Sequence, residues 1–563
     1  MSAVAAAPAR RSLDREAWIA RAAIAALALA LIVTVALPLY ALLSRGLESK
    51  AGAFVGFANY AAYFATPGVG RAVVNSLVIA LASTVVTVSV AFVFAYGLTR
   101  SRMPYKGVLK AVALAPLLAP SLLPGIALVY LFGKQGLLKS LMFGQEIYGP
   151  IGILLGEAFY CFPAAILILT TALSLSDQRL HDAAVSLGAS RWRIFRTVTL
   201  PGARYGLISA CFVVFTLAIT DFGVPKVIGG WYDVLAIDVY KRVVGQQDFQ
   251  KGAVVSALLL LPAVLAFTAD SFVRRRQVAL LSARSVAFMP RPERMRDGLL
   301  FVFCAVVALA ILIVLLTAAG ASFVKFWPYN LELWLGHYDF DNKDGGGWRA
   351  YYNSIEMALW TAACGTAIVF LGAYLSEKSN RFAAGRMAIR LLAVVPMAVP
   401  GLVLGLAYIF FFNDPANPLS VLYRTMAILV ISTIVHFYTV AHLTAVTALK
   451  QMDPEFEAAG ASLGVPWYTT FRRVTVPVAM PAILDISIYL FVSAMTTVSA
   501  VVFLYAPDTA LASIAVLNMD DAGDIAPAAA MAMMIVYTSA AVRLLHWLGT
   551  RGLARRSQAW RGR

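Results

Sequence analysis

Of the 563 residues, 61% are hydrophobic and only 13% charged, with a mean hydropathy of +0.78; soluble chains carry roughly twice that charge fraction, so a water-soluble domain is excluded and a bilayer is the expected solvent. The net charge of +17 would suit a nucleic-acid surface, but 32 of the 46 Lys and Arg fall in one alternating set of loops. That pattern orients membrane spans, and it excludes nucleic acid as the partner.

In chain order, a span needs about 20 mostly apolar residues, and twelve stretches qualify: 20–43, 72–97, 108–132, 150–175, 205–224, 252–273, 298–321, 355–375, 388–412, 424–448, 480–505 and 525–548. The first follows Arg10, Arg11, Arg15 and Arg21, as the core of a signal peptide would. Its apolar run, Ala22 to Leu43, is longer than such a core and no small-x-small site follows, so it counts as a span. The basic set comprises the N-terminus, 98–110, 176–204, 274–297, 376–390, 449–479 and the C-terminal tail, which places both termini in the cytoplasm and makes the number of spans even. Asp233, Asp238, Asp248, Asp339, Asp341, Asp344, Asp520, Asp521 and Asp524 fall on the opposite side. Cys161, Cys211, Cys304 and Cys364 lie inside spans with no CxxC pattern and read as small apolar residues. His436 and His442 are six apart, not the i,i+4 spacing of a helical metal pair. Neither a resident metal nor a cofactor is expected.

The chain repeats itself at an interval of 276–280 residues. Arg71, Asn75 and Ser76 at the head of the second span answer to Arg349, Asn353 and Ser354 at the head of the eighth. Pro116, Pro120 and Gly125 answer to Pro396, Pro400 and Gly405, and Gly188 and Pro201 to Gly464 and Pro477. Each half, 1–285 and 286–563, holds six spans, so both copies enter and leave on the same side as parallel repeats with a pathway between them. The basic stretch 274–296 is the natural linker.

Between spans four and five lies a polar loop, about 177–204, containing Asp182, Ala183, Ala184, Gly188, Trp192, Phe195, Val198 and Pro201. Its counterpart, about 451–480, contains Glu457, Ala458, Ala459, Gly464, Trp467, Phe471, Val474 and Pro477. An alanine-rich helix, a glycine that releases the backbone, a second helix with aromatics at 3/4 spacing, and a proline make an elbow suited to a partner's groove. These loops resemble the Glu-Ala-Ala, three residues, Gly signature of permeases of binding-protein-dependent ABC importers. Asp182 takes the acidic position in the first copy; in the second Ala458 occupies it and Glu457 stands one residue earlier.

The resemblance implies an all-α polytopic permease of the type I ABC importer fold, about twelve transmembrane helices in two six-helix repeats, in the bacterial inner membrane. It also implies that the elbows couple to ATP-binding subunits, two copies, and that a periplasmic solute-binding protein delivers the cargo. The chain itself is expected to be no enzyme. Gly133 to Ser140 imitates a phosphate-binding loop, but Leu138 stands where glycine is needed and no soluble α/β domain follows.

Charged groups inside spans are costly and point to function. Glu157, Asp270, Glu356 and Asp485 lie near predicted span ends and are expected at the interface. Asp221 is different: Gly223 and Pro225 beside it suggest a helix that breaks within the membrane, where freed backbone groups can line a cavity. Thr220 and Asp221 answer to Thr496 and Thr497, so Asp221, Lys226, Thr496 and Thr497 are the expected border of the route. The stretch Thr220 to Gly230, with Tyr240 and Gly245 to Phe249, looks most similar to permeases for 2-aminoethylphosphonate, with ferric iron next and thiamine also in view. A secondary transporter shares the count of twelve spans but would have no use for paired elbows.

Overall fold

The computed structural model describes residues 7–66, 68–174, 178–279, 288–453 and 455–557. In lipid each backbone N–H and C=O must be satisfied within its own segment, which leaves helices as the answer to these apolar runs. In chain order the helices are α1 (Arg15–Arg45), α2 (Val69–Arg100), α3 (Lys106–Leu118), α4 (Leu122–Phe132), α5 (Pro150–Ser174), α6 (Gln178–Ser186) and α7 (Arg191–Thr220). They continue as α8 (Gly223–Ile228), α9 (Leu235–Tyr240), α10 (Phe249–Val273), α11 (Arg294–Phe323), α12 (Gly347–Glu377), α13 (Ala383–Ala398) and α14 (Gly401–Phe412). The remainder are α15 (Met426–Lys450), α16 (Glu455–Ser462), α17 (Trp467–Val478), α18 (Met480–Thr496), α19 (Ala512–Asp521) and α20 (Ile525–Thr550). A short antiparallel hairpin, β1 (Val324–Phe326) and β2 (Asn330–Leu333), follows α11.

Among the described residues nine helices are long and apolar enough to cross a membrane, and three bent pairs bring the count to twelve if each is one span. Two of the bends fall inside the stretches 108–132 and 388–412, and the third, at Ala479, comes just before the stretch 480–505. The pair α3/α4 turns by 106° and α13/α14 by 117°. Both turns come just before the second of two prolines: Ala119 and Val399 are extended, as the residue before proline prefers, so Pro120 and Pro400 stop one helix and the next sets off in a new direction. The pair α17/α18 turns by 78° where its counterpart α7 runs through, so the two copies differ here.

The chain forms two compact units that cut across the sequence halves. One comprises described residues of 1–45, 349–512 and 536–563, the other 46–348 and 513–535. Within the second, α2, α5, α7 and α10 pack together, and α11, the first helix of the C-terminal repeat, lies on α2, α3 and α4. Within the first, α15 packs on α18, and α1, the first helix of the N-terminal repeat, lies on α13 and α14. Each repeat therefore lends its first span to the other's unit. Part of the predicted linker, 280–287, lies outside the described residues.

The paired Asn–Ser motifs do the same work in each unit. Ser76 Oγ accepts the Leu235 N–H, the first of α9, at 2.7 Å, and Ser354 Oγ accepts the Ala512 N–H, the first of α19, at 2.8 Å. Asn75 Nδ2 donates to the Asp233 carbonyl at 3.0 Å, and Asn353 Nδ2 to those of Asp508 and Ala510, both at 2.9 Å. Helix starts carry N–H groups with no partner in their own helix, and here a neighbouring span supplies it.

Candidate coupling elbows and pathway breaks

Both elbows end their first helix in the same way. In α6 the Ala189 N–H reaches the Ala184 carbonyl at 3.0 Å and the Gly188 N–H that of Val185 at 2.9 Å. In α16 the Val465 N–H reaches Gly460 at 2.9 Å and the Gly464 N–H reaches Ala461 at 3.1 Å. This is the Schellman closure, which needs a left-handed residue, and Gly188 (φ +70°) and Gly464 (φ +67°) provide it. A Cβ at either glycine would meet nothing within 4 Å, so the requirement is conformational rather than steric. Leu187 and Leu463, beside the glycines, are 86% and 80% exposed: the tips present apolar side chains outward. Pro201 and Pro477 sit in helix beyond a π-turn, at Phe195–Thr199 and Phe471–Thr475 respectively.

The acidic positions differ. Asp182 is half-exposed, accepting from Gln178 Nε2 at 2.9 Å with Arg291 at 3.9 Å. Glu457 turns inward to Lys378 Nζ at 3.2 Å. Ala183, Ala184, Ala458 and Ala459 lie on α6 and α16, neither of which has a buried residue. A cavity of about 540 Å³ lies behind the second elbow, lined by Glu16, Lys378, Arg381, Glu457 and Trp467 among others. In the first elbow Phe288 lies 5.0 Å from the His181 ring. Burial there lowers the His181 pKa from its ordinary value, Asp182 opposing and Arg100, Arg291 and Arg296 assisting.

Behind each elbow a span breaks, in the first copy beside Gly223 and Pro225 as their sequence had suggested. Helix α7 ends at Thr220, and Asp221 is extended (φ −67°, ψ 139°); α18 ends at Thr496, and Thr497 is extended (φ −71°, ψ 136°). Asp221 is buried, and its Oδ2 accepts the Val224 N–H at 2.8 Å, capping α8. The Thr220 and Thr496 hydroxyls donate back to the carbonyls of Thr216 and Val492, at 2.8 and 3.0 Å. The close contact beside each break is built with its partners exchanged. A Cβ at Gly223 would lie 2.1 Å from Ser121 Oγ, whereas one at Gly401 would lie 2.2 Å from Ser499 Oγ. Ser121 answers to Gly401 and Gly223 to Ser499 in the repeat.

Lys226, on α8, forms an ion pair with Asp521 at 2.7 Å and lies 5.1 Å over the Tyr240 ring. Asp221 and Lys226 thus share one unit, while Thr496 and Thr497 hold the corresponding break in the other. Glu157 and Asp270, expected near span ends, are buried within the protein: Cys161 Sγ lies 3.6 Å from Glu157, and Ser209 donates to Asp270 at 2.5 Å. Glu356 and Asp485 are exposed. Among the described residues no group of three or more His, Cys, Asp or Glu is placed to hold a metal ion.

Sequence reasoning missed Glu16 and Glu293. Glu16 Oε1 accepts the Trp467 N–H at 2.8 Å, and Glu293 pairs with the Arg191 guanidinium. Their spacing of 277 residues, within the repeat interval, was the available signal.

Residues 87–326 and 368–551 each match the family described as binding-protein-dependent transport system inner membrane component, and each match contains one elbow and one break. The chain is 27% identical over 498 residues to the ferric transport system permease protein FbpB of Actinobacillus pleuropneumoniae, covering 85% of this chain and 71% of that one. Against the Fe(3+)-transport system permease protein FbpB 2 of Haemophilus influenzae it is 23% identical over 479 residues, 84% of this chain and 88% of that one. The molybdenum transport system permease protein ModB of Escherichia coli matches at 30% over 162 residues, 27% of this chain and 69% of that one. With the signature elbows formed twice and the family matched twice, the chain belongs to the inner-membrane components of binding-protein-dependent transport systems, as two such units in one polypeptide.

Proposed function

We propose that this ABC importer permease carries ferric iron across the inner membrane. The observation behind this reading is that the relatives matched along most of both chains include several ferric permeases. The 2-aminoethylphosphonate reading, drawn from the stretch around Thr220, has no support among these relatives, and the ferric alternative replaces it.

ATP is hydrolysed in separate subunits, two copies, seated on the elbows at Gly188 and Gly464. The elbows and both termini face the cytoplasm, and a periplasmic binding protein presents iron at the opposite side. In this reading the breaks at Asp221 and Thr497 are where the route opens: each releases backbone groups, and a short segment behind each can tilt without unwinding a whole span. Asp221 holds the first break in shape through its bond to Val224, and Lys226 stands on the segment that would move. Alternating access follows when the elbows shift with the motor.

The test is uptake of radiolabelled ferric iron by proteoliposomes holding the chain, its ATP-binding subunits and the binding protein, with ATP inside. Accumulation that excess 2-aminoethylphosphonate and molybdate leave unchanged is expected. Iron-independent uptake of either competitor would overturn the assignment of cargo while leaving the permease assignment intact.

A further inference from the structure

Glu16 and Glu293 occupy equivalent repeat positions ahead of the apolar stretches of α1 and α11, and each reaches an elbow that belongs to the other repeat. The two ties use different chemistry. Trp467 opens α17 behind Pro466, whose side chain has no oxygen to accept a helix-start N–H, so the Glu16 carboxylate supplies the cap at the positive end of the helix. In the first repeat Ser190 caps its own helix, accepting the Arg193 N–H at 3.3 Å, and Glu293 instead grips the Arg191 side chain. The segment entering α11 adds two more holds on α6: the Met289 N–H donates to Gln178 Oε1 at 3.0 Å, and Phe288 lies on the His181 ring.

An exposed ion pair contributes little to stability, and Arg191 is 83% exposed. That both repeats nevertheless keep a carboxylate here, through unlike contacts, points to a role in moving rather than in folding. The helices so tied are also the least held of the nine long spans, with 28% of α1 and 17% of α11 buried over their apolar windows. A pull at the elbow therefore meets little packing resistance from the helix it pulls.

We propose that Glu16 and Glu293 are positioning residues that pass elbow displacement into α1 and α11, so that each elbow drives the first span of the opposite repeat. Because α1 continues by chain into the N-terminal repeat and α11 into the C-terminal one, a motor acting on either elbow moves both repeats. This rests on the elbows being the motor's seats.

The experiment uses the full complex in proteoliposomes and measures ATP hydrolysis and solute uptake together. Glu16→Ala should leave assembly and ATP hydrolysis intact while uptake falls about tenfold, the size of an ordinary coupling free energy between sites. Adding Pro466→Ser restores a local cap, as Ser190 does in the first elbow, without restoring the tie, so uptake should stay low. Glu293→Gln, at a pair whose arginine is exposed, should give the same uncoupled phenotype. Recovery of uptake in the Glu16→Ala/Pro466→Ser double variant would reduce Glu16 to a helix cap and overturn the proposal, as would wild-type uptake in Glu16→Ala and Glu293→Gln. Failure of the elbow reading itself would look different: the wild-type chain would not recruit the ATP-binding subunits through its elbows at all.

Discussion

Gly188 and Gly464 hold φ near +70° with open space around them, so a substitution there is penalised by backbone conformation, about 1–2 kcal/mol for a residue with a Cβ. Asparagine tolerates the left-handed region better than valine. Gly188→Val and Gly464→Val should therefore abolish ATP-driven uptake while membrane insertion is preserved, and Gly→Asn at either site should retain much of it; comparing uptake and membrane yield for the four variants checks this. At Asp520, burial first and the neighbouring Asp521 second raise the carboxyl to about 6 against the pull of Lys226. A folded-state value above the unfolded one means the associated stability is complete below about pH 4 and lost as pH rises through about 6. Asp520→Asn keeps the neutral form, so it should stabilise the protein by on the order of 1 kcal/mol near pH 8 and not near pH 4, read as a shift in Tm. The glycines were legible in the sequence because their conformation is a local property. Glu16 was marked only by its repeat spacing to Glu293; its partner, Trp467, lies 451 residues away and is reached through a backbone N–H, so the contact itself is not encoded in the partner's residue type.

At the scale of elements, the start of α9 and of α19 depends on a serine from another helix. Removing that acceptor strands a buried N–H at a cost of about 1–3 kcal/mol. Ser76→Ala and Ser354→Ala should each lower Tm, and Ser76→Thr, which keeps the hydroxyl, should lower it less. The helices themselves were readable from hydropathy, and the break after Thr220 from Gly223 and Pro225. The sharp turns were not: Pro120 and Pro400 were visible as repeat markers, but proline in a membrane span need not bend it far. What a run of apolar residues does not encode is the direction taken after a bend, which is set by contacts such as Gly125 against Val227 and Gly405 against Phe503.

For the molecule as a whole, two copies were evident in the sequence, but their packing units were not. Hydropathy does not record that α1 lies on α13 and α14 and α11 on α3 and α4, since the apolar stretches of both first helices would suit either neighbour. The consequence is a permease whose repeats exchange their first spans between the two packing units; under the proposed coupling role, an outside force on either elbow would reach both repeats. The most direct measurement is photo-crosslinking in the assembled transporter from a reactive residue placed at Leu187 or Leu463, the exposed tips of the elbows. Crosslinks to the ATP-binding subunit from both positions are the predicted result; an assembled, ATP-hydrolysing complex that gives none from either would contradict the account.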